Sequence, residues 1–147
     1  MTFREKGALL LRYVRALRPV VGMDFSQAEL AGADLSRADL REAILQGANL
    51  CGAYLGGADL TGADLRDAAL RDARLPKATL NNACLLTASM HRAELQEASL
   101  RNANLNGSLL PGADLEAADL TGAQLRAVNL IRAEMHRTNL QNADLQG

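Results

Sequence analysis

The side chains best able to do chemistry are few and scattered. The 147-residue chain has two histidines, His91 and His136, and two cysteines, Cys51 and Cys84. A histidine acting as a general base needs a nucleophile within hydrogen-bond reach, and a metal needs three or four converging ligands. Neither histidine has a Ser or Cys at a spacing that would build a triad or a metal site, so both are expected to be solvated surface side chains. The cysteines have no paired spacing and are expected to be free thiols, which suits a reducing, cytoplasmic compartment. The paired glycines Gly56-Gly57 suggest a phosphate loop only in isolation. Gly57 belongs to the set Gly32, Gly47, Gly52, Gly57, Gly62, Gly107, Gly112 and Gly122, which follows a fixed period and marks chain corners. The chemistry points away from an enzyme and implies no cofactor and no metal.

What positions these residues is a repeat of five. Stepping by five from Phe25 to Leu145 gives 25 positions, of which 22 are Leu and the others Phe25, Met90 and Met135. Two residues before each lies a second column, Ala at 21 of 25 places, interrupted at Met23, Ser108, Val128 and Thr138. A period of five fits neither a helix at 3.6 nor a strand at 2. A short strict repeat that cannot bury its own apolar pair implies stacked coils, each covering the next. This interior also accounts for an aromatic content of 3% with no Trp. Alternating Leu and Ala fill it instead.

The first 22 residues differ. Thr2 with Glu5 reads as a capping box. Leu10, Tyr13, Val14 and Leu17 follow at helical spacing, and Arg18-Pro19 is a stop. The expectation is an amphipathic helix over 3–18 that lies on the first coil, near Met23 and Phe25, and protects its open end. Two parts follow: a capping helix and linker over 1–22, and a solenoid over 23–147. The apolar stretch from Ala8 to Leu11 is cut by Arg12 and Arg15, too short for a signal peptide or a membrane span. The helix segment carries Arg4, Lys6, Arg12, Arg15 and Arg18 against Glu5, a net of +4.

The triplets Ala33-Asp34-Leu35, Ala48-Asn49-Leu50, Ala58-Asp59-Leu60, Ala113-Asp114-Leu115 and Ala143-Asp144-Leu145 resemble the pentapeptide-repeat family, whose consensus is Ala-Asp/Asn-Leu-x-x. The resemblance spans 125 of the 147 residues. It implies an all-β fold, a right-handed quadrilateral β-helix with four pentads to a coil, hence about six coils stacked at roughly 4.8 Å. Residues 20 apart would then stack. That places Asp72 with Arg92, Arg74 with Glu94, and Lys77 with Glu97 as attractive rungs. It also places Asp39 with Asp59, Glu94 with Asp114, and Asp114 with Glu134 as repulsive ones. Three against three leaves the coil length open from charge alone.

Three surface features are candidate interaction sites. Glu94, Asp114 and Glu134 form an acidic strip, with Arg92 and Arg132 placed to neutralise it. Leu109, Pro111 and Ile131 form an apolar cluster. Leu130, Met135, Leu140 and Leu145 line the final coil, whose open edge is expected to pair with a second copy. Family members that protect DNA gyrase by imitating a DNA duplex supply an alternative function. The repeat region holds 16 of the 17 acidic residues and 11 of the 16 basic ones, a net of −5, which is modest for a DNA mimic. The reading is therefore a non-catalytic scaffold for an unidentified protein partner, and a homodimer through the C-terminal coils. The net charge of −1 over the whole chain predicts no direct nucleic-acid binding.

Overall fold

The computed structural model describes residues 1–146. It consists of one helix followed by a solenoid whose coils take twenty residues each. The 21 β-bridges among the described residues are all parallel and join residue i to residue i+20, from Asp24–Ile44 to Gln124–Asp144. The attractive and repulsive rungs could not choose this length; the backbone does. Each side of a coil is one pentad. In the pentad that ends at Leu35, the Leu35 N–H donates to Tyr54 O (2.8 Å) and the Arg37 N–H to Gly56 O (3.0 Å) on the next coil. The Tyr54 N–H donates back to Ala33 O (2.9 Å). Four pentads per twenty residues make the coil four-sided.

A turn closes each side, with the N–H of the Ala-column residue donating to the carbonyl three residues earlier, as in Ala38 to Leu35 O (3.1 Å), at every corner but the one at Val128. The third residue of each turn has positive φ, the pattern of a type II turn. This holds at all 25 positions from Gly22 to Asn142, although only nine are glycine. The glycines seen in the sequence therefore mark a geometry imposed on every corner, and sixteen larger side chains adopt it at a cost. Ala117, at φ 55, has no side-chain polar group to offset that cost. Ala117→Gly is expected to stabilise the protein by about 1 kcal/mol, read as a rise in Tm of roughly 2–4 °C.

The Leu column is buried from Phe25 to Leu125, none of it more than 3% exposed, and Ala28 to Ala123 line the same core with only Ala33 partly open. Ser108 replaces Ala without orphaning a polar atom, because its Oγ donates to Leu105 O at 2.6 Å. In the last coil the burial loosens, and Val128, Leu130, Met135, Leu140 and Ala143 are half-buried.

Helix α1 spans Phe3–Arg15. The capping box forms as expected: the Glu5 N–H donates to Thr2 Oγ1 (3.2 Å) and the Thr2 N–H to Glu5 Oε2 (2.6 Å). The helix lies on the first coil. Leu10 is fully buried in the shared core, the Glu29 N–H donates to Phe3 O (3.1 Å), and Lys6 Nζ reaches Ser26 Oγ (2.9 Å) and both Asp24 carboxylate oxygens (3.2 Å). Gly7 makes the approach possible, since a Cβ there would stand 2.2 Å from Glu29 O.

Two expectations for this segment are corrected. The helix ends at Arg15, not at residue 18, and Leu17 does not join the inward face. The Arg18 N–H donates to Tyr13 O (2.9 Å) and the Leu17 N–H to Val14 O (2.9 Å), a Schellman ending with Leu17 in the left-handed position at φ 51. The reversal turns the Leu17 side chain out, where it is 93% exposed.

Candidate interaction faces

The outward residue between Ala and Leu is where the consensus puts Asp or Asn, and the structure supplies the reason. Within each pentad four backbone N–H groups can bond to backbone, and the N–H of the residue after Leu has no carbonyl to meet. All twelve Asp and Asn residues at the outward position accept that hydrogen bond with their own side chain, from Asp24 (Ser26 N–H, 2.8 Å) and Asp34 (Ser36 N–H, 3.1 Å) to Asp144 (Gln146 N–H, 3.2 Å). Eight of the twelve are Asp, so half of the sixteen acidic residues of the repeat are there to pair its backbone.

The acidic strip is stacked as expected, with bridges Glu94–Asp114 and Asp114–Glu134. Its members differ in kind. Asp114 is one of the twelve acceptors, taking the Glu116 N–H (2.9 Å) and Gln96 Nε2 (2.5 Å). Glu94 is paired with Arg74 below it (3.4 Å), whose guanidinium lies 5.0 Å from the Tyr54 ring centre. Arg92 does not neutralise Glu94; it forks onto Asp72 at 2.7 and 2.9 Å. Arg132 makes no ion pair among the described residues and Glu134 is exposed. All three attractive rungs form, the third being Lys77–Glu97 at 3.5 Å. The repulsive rung Asp39–Asp59 is bridged by Arg41, 2.8 Å from one and 3.9 Å from the other.

The apolar cluster is also brought together. Leu109 is 40% and Ile131 66% exposed, and Pro111 is half-buried on the same side, one coil from Ile131. Part of its composition follows from the backbone rule. Leu109 lacks an acceptor, and the residue that would need it, Pro111, has no N–H. Arg74 and Pro76 repeat the combination. Both prolines of the repeat therefore sit where the acceptor is missing.

Sequence reasoning missed one contact. Ser89 Oγ and His91 Nδ1 are 3.0 Å apart, and His91 is half-buried rather than solvated, whereas His136 is exposed. Asp72, whose N–H donates to His91 O, has its carboxylate held by Arg92, and among the described residues no carboxylate hydrogen-bonds the His91 ring. The signal was present as Ser89-x-His91, but spacing alone does not say that alternate residues share an outer face here. Cys51 and Cys84 are free and half-buried. Among the described residues no group of three potential metal ligands converges and no helix is long and apolar enough to cross a membrane.

Electrostatics predicts the acid response. The Ser26 hydroxyl and N–H, with Lys6, hold the Asp24 carboxyl down to about 2. Asp34 is lowered by the Ser36 N–H, and Asp39, Asp64, Asp72 and Asp144 chiefly by hydrogen bonds from Arg41, Arg66, Arg92 and Arg126. A carboxylate whose pKa falls on folding stabilises the fold above its unfolded value and loses that contribution as pH drops through the folded one. Tm is therefore expected to be flat above about pH 5 and to fall progressively from about pH 4 toward 2, followed by circular dichroism melts.

The Pentapeptide repeats family, in eight copies, matches residues 22–57, 53–92, 77–110, 88–126 and 108–147. The chain belongs to the pentapeptide-repeat family. Among solved members, a pentapeptide repeat protein (Rfr23) from the cyanobacterium Cyanothece 51142 is 25% identical, with a TM-score of 0.61 over 94% of this chain and 98% of that one. QnrB1, a plasmid-mediated fluoroquinolone resistance protein, is 23% identical with a TM-score of 0.61, covering 83% of this chain and 67% of its own. The pentapeptide repeat protein alr5209 from Nostoc Pcc 7120 is 33% identical over 94% and 93% of the two chains, with a TM-score of 0.49. A comparison with curated proteins returned no match. Rfr23 and QnrB1 share a solenoid of this kind, and at 23% identity the similarity to QnrB1 concerns fold alone.

Proposed function

We propose that the chain is a non-catalytic interaction scaffold: a cytoplasmic rod of about six right-handed coils over 23–147, closed at one end by residues 1–22, that binds proteins along its faces. One observation carries the reading. The interior is filled with Leu and Ala from Phe25 to Leu125, so the titratable side chains stand on the outside, and the exposed Leu109 and Ile131 bring two large apolar side chains together on one side of a mostly polar surface. Apolar residues clustered on one face favour contact over solvation.

The partner assigned to the C-terminal coils is a second copy. Leu130, Met135 and Leu140 are half-buried and Leu145 is 53% exposed, and a two-fold contact across them, widened by Leu109, Pro111 and Ile131, closes without polymerising. Light scattering behind a sizing column is expected to report twice the 15.7 kDa chain mass at tens of micromolar, and Leu109→Asp with Ile131→Asp to shift it toward monomer. A wild-type monomer at high concentration would reject the dimer. The competing reading, a DNA-mimicking modulator of gyrase, draws on the strip Glu94, Asp114 and Glu134. Arg74 pairs with the first and Asp114 serves the backbone, which leaves little unspent charge. No inhibition of gyrase supercoiling is expected at micromolar protein, and clear inhibition would replace the scaffold reading.

A further inference from the structure

Helix α1 turns one side to the first coil, and its other side is cationic. Arg4, Arg12, Arg15 and Arg18 are exposed. None of them takes part in any of the ten ion pairs among the described residues. Lys6, by contrast, is turned inward onto Asp24 (3.2 Å). A shallow open groove on the outer side is lined by Leu9, Arg12, Tyr13, Arg15, Ala16 and Arg18. The carboxylates nearby are engaged: Glu5 in the helix cap, and Asp39, beside Leu17 and Arg18, by Arg41 (2.8 Å). Arg37 adds a further cation on the Leu17 side.

Leu17 is the second, independent observation. It occupies the Schellman position that glycine usually fills, at φ 51, and its side chain is 93% exposed. Leucine is disfavoured there twice, by crowding of its Cβ in the left-handed region and by the water around its side chain. Neither penalty is recovered within the chain, because the side chain packs on nothing. The solenoid corners share this backbone conformation, but none of them presents a large apolar side chain to solvent as Leu17 does.

We propose that this end of the rod is a docking surface for an anionic lipid bilayer, with Leu17 entering the boundary between headgroups and acyl chains and Arg12, Arg15 and Arg18 pairing with lipid phosphates and carboxylates around it. A bilayer fits better than a folded partner because a leucine projecting almost wholly into solvent, with guanidinium groups around it and only a shallow groove beside it, suits a soft interface rather than a shaped pocket. Guanidinium forks match phosphate oxygens in pairs. The approach is end-on. The first two coils carry Asp24, Glu29, Asp34, Asp39, Glu42 and Asp59 against Arg37 and Arg41, so the walls of the rod beside the helix repel the same surface.

Co-sedimentation with vesicles decides it, using phosphatidylcholine with about 30% phosphatidylserine against phosphatidylcholine alone, at about 0.05 M salt to limit screening. The full chain is expected to sediment with the anionic vesicles and not the neutral ones. Arg12→Gln, Arg15→Gln and Arg18→Gln combined, which remove the charges without placing acids at the helix C-terminus, should weaken binding on the order of a hundredfold. Leu17→Ser alone should weaken it about tenfold, and both variants should melt like the wild type because these side chains lie outside the core. Equal binding to both vesicle types, or a Leu17→Ser variant that binds as well as the wild type, overturns the proposal. Retention on an immobilised acidic protein with no vesicle binding overturns it in favour of a protein partner.

Discussion

Leu75→Asp is expected to lower stability by about 4–5 kcal/mol, with a fall in Tm of roughly 10–20 °C. Leu75 is fully buried between Leu55 and Leu95, which stack one coil to each side and are equally inaccessible to solvent. An aspartate there must be buried charged, or protonated with its hydroxyl unpaired, because its inward neighbours Leu55, Leu95 and Ala73 offer no polar side chain to receive it. The position is central, so the damage separates two halves of a molecule whose coils touch only their neighbours. Leu75→Met, which conserves volume, should cost less than about 1.5 kcal/mol. Thermal melts of the three proteins are the test. A Leu75→Asp melt within a few degrees of wild type would mean that the Leu column does not face inward.

The second large effect reverses an ordinary trend. Ala in place of Gly within a helix normally stabilises by about 1 kcal/mol, yet Gly7→Ala is expected to destabilise by about 2–3 kcal/mol. The added Cβ would meet Glu29 O at 2.2 Å and Glu29 C at 3.1 Å. Both are backbone atoms of the first coil, and the N–H of the same residue holds Phe3 O, so neither side can give way alone. The helix must lift, uncovering Leu10 and the Phe25 end of the core. Binding of a hydrophobic dye should rise before the β signal is lost, and deletion of residues 1–22 should give the same exposure with aggregation. A Gly7→Ala protein as stable as wild type would show that α1 is not seated on Glu29.

Much of this protein was written in the spacing of its residues. Two apolar positions in every five fix which side chains face inward, because an Ala and a Leu two residues apart share one face of an extended segment, and the three-residue step to the next Ala keeps that face inward only if the chain turns there. The Thr2–Glu5 cap was equally plain, since its partners are three residues apart and need nothing else. The coil length was not. It depends on how far each left-handed corner bends the chain and on which carbonyl then lies above each N–H, and attractive and repulsive charge rungs balanced. The role of Asp and Asn was hidden for a similar reason: the N–H they satisfy is orphaned only once the coils are stacked. Gly7 looked like any helix glycine until Glu29, 22 residues on, was brought against it. Leu17 fitted the helical stripe of Leu10 and Val14, and only the Schellman ending turned it outward. The five-residue period determined what is inside. The contacts between coils and the seating of the helix, made by residues distant in sequence, decided what the surface presents.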